Sequence, residues 1–598
     1  MHQRDAIARR LKATSKARED TSAIYDELRT YRKMVKGQLK FDLKQFGAET
    51  MRSNNHNKIW DLIRSSSFTV TKGLTSRIDP HLVNDHFSSV VFDDADGVAL
   101  PISQADTIEA FQIEAVSIED VTTLLLTTKS SSAAGHDGIS GKILKQYAVS
   151  LAPSICTIVN ASIQQAVFPD AWKKSNVIPI WKSKGSKADP SNYRPISIIP
   201  VMGKILEKSV CKQLAAYCKD QCVIPPEQFG FRERSSVEIA LLSATDKWLE
   251  DIDSGKMVGA LLIDLAKAFD TVSHQQLLSE LSSIHCSSKA LSFVRSFLTN
   301  RVQRVSQGGI LTPWNPISRG VPQGSCLSPL LFNILVRDLP RAVRSSTWQF
   351  ADDVTHSVSS NSAETIKKEL ADVYLATKNF CSSKHLQINL AKTQFIIFKS
   401  PSRKLEVDFS LVLDGQSFTA LNYVKLLGVT LDRHLTMKEH ITSIVNTCNS
   451  LLGVLRRMAH CLPRDLCSLF YKAIIRSQLE FASSLLVPVA KSHLDKLDIV
   501  QRKAARIICQ VAPDGHAEPL LDILGLLPLQ DRRSKHVIKL VNDILSLRCH
   551  PGLTNMFSSN LLDQADSELL VPVTNTLLGK KRFGVFGADI FNRHINEF

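Results

Sequence analysis

The chain has 598 residues, 44% hydrophobic and 22% charged, with a formal net charge of +15. This is enough chain for several domains with sizeable cores, and the balance is that of a folded protein rather than a disordered or fibrous one. Its 73 Lys and Arg against 58 Asp and Glu suit a polyanionic partner such as nucleic acid without requiring one.

No run of about 18 apolar residues is present, which argues against a membrane span. The N-terminus, MHQRDAIARRLKATSKARED, lacks the apolar stretch of a secretory signal. The 12 cysteines are scattered and include no CxxC pair. Cys218 and Cys222 find no second His or Cys pair nearby to complete a zinc site, so free thiols in a reducing compartment are expected.

Residues 1 to about 65 read as a charged helix with a sparse apolar stripe at Ile24, Leu28, Tyr31, Val35 and Leu39. The stretch 66–120, with Pro80, Pro101 and the run DDADG, reads as an irregular linker. From 121 to about 432, strand-like and helix-like segments alternate between Gly and Pro turns. From 433 to about 548, apolar residues recur every three or four positions, as in ITSIVNTCNSLLGVLRRM, and predict helices almost throughout. Residues 549–598 show a mixed pattern.

Within the alternating region, residues 181–210 form a basic cluster with Lys182, Lys184, Lys187, Arg194, Lys204 and Lys208. Pro195 and the apolar residues after it set Arg194 against structure, where a guanidinium grips phosphate bidentately. For the lysines of WKSKGSK a solvated loop is an equally good reading. The apolar run MVGALLI, 257–263, ends in Asp264 and predicts a buried strand that delivers a carboxylate into a cleft. Ser273 with Gln276 is a capping-box signature, so a helix begins there and Asp264 and Phe269 share a strand–turn–helix. An aromatic at 269 suits the underside of a nucleotide sugar, or plain core packing.

Further on, Gly320, Pro322 and Gly324 specify a tight loop from which Gln323 projects, and Ser328-Pro329 reads as an N-cap followed by the first helical residue. Trp348, Phe350 and Ala351 on one side and Val354 and Val358 on the other predict a buried hairpin with Asp352 and Asp353 at its tip. Two adjacent carboxylates there are costly to ionise without cations. Joined with Asp264 they suit Mg²⁺, which takes oxygen ligands and serves phosphoryl transfer in pairs.

The order of segments resembles the reverse transcriptase of a non-LTR retrotransposon of the jockey-like or CR1-like kind. The pieces are AAGHDGISGKILK, WKKSNVIPIWKSKG, NYRPISIIPVMGKILEK, EQFGFRERSS, LLIDLAKAFDTV, GVPQGSCLSPLLFNI, QFADDVTHS, INLAKTQFIIF and VKLLGVTLD, in the family's order over 133–432. The resemblance implies an α+β right-hand polymerase of fingers, palm and thumb, with an antiparallel palm sheet flanked by helical N- and C-terminal segments. It divides the chain into a helical connector (1–80), linker (81–130), fingers (131–245), palm (246–432, the reverse transcriptase domain being about 162–432), helical thumb (433–548) and tail (549–598).

Residue by residue, it implies that Asp264, Asp352 and Asp353 are the catalytic, metal-binding triad, assisted by the carbonyl of Leu265. Phe269 is then the aromatic that crowds the 2′ position, Gln323 supports the incoming nucleotide and template, and Arg194 holds triphosphate. Lys392 falls where a general acid for pyrophosphate is placed. The implied cofactors are two Mg²⁺ ions, with Mn²⁺ as a substitute. The implied partners are template RNA, a DNA primer or target, and dNTPs, with no membrane and the oligomeric state open. The compartment is intracellular, nucleus or cytoplasm, as a ribonucleoprotein.

A catalytically retired nucleic-acid-binding remnant is the alternative. Phe350 replaces the family's usual tyrosine, and Met437 stands where a tryptophan is common. No endonuclease motif precedes residue 130 and no ribonuclease H segment is evident, so an element lacking its N-terminal nuclease is expected. The tail GKKRFGVFGADIFNRHINEF resembles the family's near-terminal segment, with Phe591-Asn592 in place of Trp-Asn.

Overall fold

A computed structural model of the chain describes residues 22–52, 60–61, 78–89, 110–404, 409–554, 556–557 and 568–596. The start of the expected N-terminal helix, the DDADG run and Pro101 lie outside the described residues. The chain divides into two compact units, one of residues 74–428, 432–435 and 540–598, the other of 1–73, 429–431 and 436–539. Residues 549–598, set apart as a tail from the sequence, thus share a unit with the candidate site.

The first unit is mixed helix and strand. Its principal strands are β1 (Lys174–Trp181), β2 (Tyr193–Ile198), β3 (Met257–Asp264), β4 (Arg301–Gln307), β5 (Ile310–Leu311), β6 (Asn315–Ile317), β7 (Ser346–Phe350), β8 (Asp353–Ser360) and β9 (Gln394–Phe398). One sheet runs β2-β1-β4-β5, with β6 also on β4; β1 and β4 are parallel and the other pairs antiparallel. The second sheet, β7-β8-β3-β9, is antiparallel throughout.

β3 is buried along its length until Asp264, as expected of a strand covered on both faces. Cross-strand partners share a face. Val258 therefore shares a face with its partner Phe398, on which Trp248 of the helix Val237–Asp253 stacks at 4.7 Å. Gly259 points the other way, where a Cβ would meet Ile366 of the helix Ala363–Ser383 at 2.3 Å. Glycine at 259 is what lets that helix lie so close. The helix after Asp264 starts where its capping signal says: it spans His274–Ser283, and the Ser273 side chain accepts from the Gln276 N–H.

Two local expectations are corrected. The stretch read as irregular holds the helix Pro80–Ser88, which the Asp79 side chain caps through the His81 N–H at 3.0 Å. Pro80 sits in its first turn, where no N–H is needed, so the proline marks a start rather than a break. The helix Ser328–Leu335 begins one residue before its predicted start, with Ser328 inside it. Its orphan N–H groups are met instead by the Ser325 hydroxyl, which accepts from Leu327 at 3.1 Å and Ser328 at 3.3 Å. Ser325 in turn donates to the buried Glu207 carboxylate at 2.7 Å.

The second unit is helical among its described residues apart from 429–431, which belong to the strand Val429–Asp432. The helices Lys438–Ala459 and Lys491–Cys509 each bury a stripe at helical spacing, from Ile441 to Met458 and from Leu494 to Ile508. The Tyr471 hydroxyl donates to Gln501 at 2.8 Å, and Glu480 pairs with Arg476 and Arg532. The helix Ser22–Arg52 approaches this bundle at Gly47, where a Cβ would meet Pro463 at 2.7 Å. All 12 cysteines are free thiols. No described helix is long and apolar enough to cross a membrane.

Candidate active site

The hairpin tip is built by close backbone approach. β7 and β8 are joined through Ala351 and Asp352, with Ala351 in the left-handed region at φ 59°. That conformation is costly for a residue with a Cβ and is held from outside. The Ala351 N–H donates to Gln228 Oε1 at 3.2 Å, which also accepts the Gly230 N–H at 2.8 Å. Residues 227–230 lie along β7: Phe229 N–H donates to the Gln349 carbonyl and Gln349 N–H to the Glu227 carbonyl, both at 2.8 Å. At Gly230 a Cβ would stand 2.2 Å from the Ala351 nitrogen. Only glycine permits the fit.

The three aspartates meet at this tip. Asp264 ends β3 directly opposite Asp353, the first residue of β8, so the two side chains share a face of the sheet. Asp352 precedes Asp353, in the turn rather than in a strand. Burial raises the Asp352 carboxyl above its ordinary range, and Asp264 raises it further. Asp353 is pushed up to about 6, first by burial, then by Asp352 and Asp264. Lys392 Nζ stands on Asp264 Oδ2 at 2.8 Å, with Asn389 Nδ2 at 3.3 Å.

Among the described residues no three His, Cys, Asp or Glu side chains converge closely enough to enclose a metal ion. The donor set nonetheless suits hard divalent cations: it offers carboxylate oxygens alone, and their mutual repulsion is relieved by positive charge. At present Lys392 supplies that charge. Leu265 follows Asp264 and bridges Ile388, with the flanking Asp264 carbonyl accepting from Asn389 N–H and Ala266 N–H donating to Gln387. In this antiparallel pattern its own carbonyl turns away from that neighbour.

Phe269 is half-buried. It stacks on the fully buried Phe332 at 4.8 Å and takes the exposed Phe231 edge-on at 6.0 Å, so one side of the ring packs on the core. The loop 320–324 is fastened on two sides: Val321 N–H donates to the Phe269 carbonyl at 2.8 Å, and Ser197 N–H to the Gln323 carbonyl at 2.8 Å. Gly320 and Gly324 have φ of 80° and 128°, and a Cβ would meet Asp270 O at 2.7 Å and Ser197 O at 2.5 Å respectively. The Gln323 amide does not reach into open space but donates to Asp270 Oδ1 at 2.8 Å. Burial raises the Asp270 carboxyl, against the lowering effect of that bond and of Lys267 and Lys182.

Arg194 is exposed on β2, opposite Ile180. Its charge acts on both Lys182 and Asp352. The Lys182 ammonium is lowered by burial, then by Lys392, Arg194 and Lys267. Three further cations thus lie close enough to Lys182 to act on its ammonium, a concentration of positive charge that favours an anion. Reasoning from sequence passed over Gln228, Asp270 and Lys267. Lys267 and Asp270 stand inside the LLIDLAKAFDTV segment, where their charges were the available signal; Gln228 gave none beyond its place beside Gly230.

The family described as Reverse transcriptase (RNA-dependent DNA polymerase) matches residues 182–431, the span that holds all eight predicted site residues. Residues 182–431 thus match a reverse transcriptase domain. That domain and its flanks are 29% identical over 411 residues to the RNA-directed DNA polymerase from mobile element jockey of Drosophila melanogaster, 66% of this chain and 44% of that protein. Over 438 residues they are 24% identical to the probable RNA-directed DNA polymerase from transposon BS of the same species, 71% and 48% of the two chains. The putative 115 kDa protein in type-1 retrotransposable element R1DM is 26% identical over 362 residues, 60% of this chain and 34% of its own. The chain thus spans less than half the length of these curated relatives, which are non-LTR retrotransposon proteins.

Proposed function

We propose that the chain is an RNA-directed DNA polymerase of a non-LTR retrotransposon, extending a DNA 3′-hydroxyl with dNTPs on an RNA template. The observation that carries this reading is the pairing of Asp264 with Asp353 in the β3–β8 register, with Asp352 in the turn beside them. In this reading residues 131–245 are fingers, 246–432 palm and 433–548 thumb, and Asp264, Asp352, Asp353 and the Leu265 carbonyl hold two Mg²⁺ ions, or Mn²⁺ in their place. Bound there, such cations lower the pKa of the attacking hydroxyl and neutralise the leaving pyrophosphate.

The remaining roles fall to the chain's own groups. Arg194, with Lys182 and Lys267, binds the triphosphate. Phe269 fills the space a ribose 2′-hydroxyl needs. Gln323, its amide fixed by Asp270, braces the floor beneath the nucleotide. Lys392 Nζ, released from Asp264, protonates the departing pyrophosphate oxygen. The retired-remnant alternative is disfavoured because a binding-only surface gains nothing from keeping three repelling carboxylates together. Primer extension on an RNA template with Mg²⁺ tests the reading: processive cDNA synthesis is expected, and RNA binding without any extension overturns it.

A further inference from the structure

Beyond the span matched to the family, residues 550–552 and 575–584 contact the segments that lie next to both elements carrying the carboxylates. The Asp253 carboxylate, at the end of the helix leading into β3, accepts from Asn575 N–H at 3.0 Å and from Thr576 N–H and Oγ1–H, each at 2.7 Å. On the same helix Asp246 accepts the Gly584 N–H at 3.0 Å, and Glu250 takes Arg582 at 3.0 Å. Toward the hairpin the contact centres on His550. His550 is fully buried and its ring stacks on Phe229, centroids 4.2 Å apart and planes 23° apart. The Gly552 N–H donates to His550 Nδ1 at 3.0 Å, which leaves the proton on Nε2, and Nε2 donates to the Gln228 carbonyl at 3.0 Å.

Gln228 is also the residue whose Oε1 holds the N–H of Ala351, immediately before Asp352. An unbroken path of direct contacts therefore runs from His550 through residues 228–230 to the acidic turn. We propose that His550 is a positioning residue of the site: from outside the matched domain, it fixes the 228–230 segment against the hairpin and so sets where Asp352 stands. Burial lowers the imidazole to about 4, so it stays neutral and keeps this tautomer across neutral pH. A side chain that only filled space would need neither of its two directed hydrogen bonds.

The inference rests on the polymerase reading for its effect on turnover, but its structural half does not. The test uses the full chain with His550→Phe, which keeps the stacked ring and loses the donor, His550→Gln, which keeps a donor and loses the ring, Gln228→Ala, and the His550→Phe/Gln228→Ala pair. Hydrogen exchange is followed on peptides covering 346–353 and 237–253, and turnover is measured per active site by burst titration. His550→Phe is expected to speed exchange of the Ala351 and Asp352 amides about tenfold, the loss of roughly one hydrogen bond, with 237–253 unchanged. Turnover should fall about tenfold with KM for dNTP and primer–template within about twofold, and the double variant should be no worse than Gln228→Ala alone. His550→Gln should retain most of the hairpin protection. Unchanged exchange at 351–352, effects that multiply in the double variant, or a loss explained wholly by a smaller active fraction would overturn the inference. The exchange arm decides it whether or not the chain extends primers.

Discussion

Asp264 and Asp353 occupy the final register position of the β3–β8 pairing, so two carboxylates approach as directly opposed neighbours on one face of the sheet. Cross-strand like charges of this kind are destabilising. The fold keeps them while spending β3's other positions on apolar residues, which marks the strand end as the place where stability yields to chemistry.

Removing either of two of these groups separates binding from chemistry. Asp264→Ala and Asp352→Ala are each expected to lower primer extension by at least about 10³-fold while RNA affinity stays within about twofold. Extension assays beside filter binding check both numbers, and near-normal extension by either variant would refute the assignment.

Asp353 gives the pH dependence. Its folded-state value, about 6, lies above the ordinary carboxyl value. The folded state therefore keeps its proton longer than the unfolded chain, and the contribution of Asp353 to stability is fullest below about pH 4 and falls as pH rises through 6. Asp353→Asn removes this penalty. Its thermal midpoint should exceed that of the unchanged chain at pH 7.5 but not at pH 4, by the equivalent of about 1 kcal/mol once the solvent that reaches one side of the carboxyl is allowed for. Calorimetry at the two pH values checks it; a gain of equal size at both would contradict the assigned cause.

Phe269 is anchored below by Phe332 and bounded at its edge by Phe231, so its ring is fixed rather than adaptable. Phe269→Val should admit ribonucleotides, raising kcat/KM for rNTPs relative to dNTPs by roughly 10- to 100-fold. Single-nucleotide insertion kinetics provide the comparison, and unchanged sugar discrimination would remove its role as a gate.

Lys392 is paired with Asp264 Oδ2, an oxygen that a divalent cation would take in the proposed reading. In Lys392→Ala the Mg²⁺ concentration for half-maximal thermal stabilisation should fall severalfold, while turnover drops if its Nζ protonates pyrophosphate. A thermal-shift titration with Mg²⁺ reads the first effect; an unchanged midpoint concentration would show that the ion pair is incidental.

The carboxylates were legible in the sequence because each follows or interrupts an apolar run: MVGALLI delivers Asp264, and Trp348 to Val358 frames Asp352 and Asp353. Gly320 and Gly324 were legible for a related reason, since positive φ and close backbone contact leave few alternatives. What escaped depends on partners far along the chain. His550 meets Gln228 across 322 positions, and neither lies in a pattern that announces the other. Gln323 was seen as projecting, but its orientation is set by Asp270, whose burial no local spacing reveals. The cap of the helix Ser328–Leu335 was misplaced because Ser325 and Ser328 are equally good cap residues, and only Glu207, a distant side chain, orients the first of them.

The unbroken burial of β3 has a consequence for how such a chain tolerates change in length. Because alternate residues face opposite sides, inserting or deleting one residue within 257–263 would rotate Asp264 to the far side of the sheet, presenting Ile263 or a newcomer in its place after an insertion and Leu265 after a deletion. Swapping one aliphatic residue for another in this stretch should cost a modest amount of packing, whereas a frame shift of a single position should silence the protein while leaving its interior just as greasy.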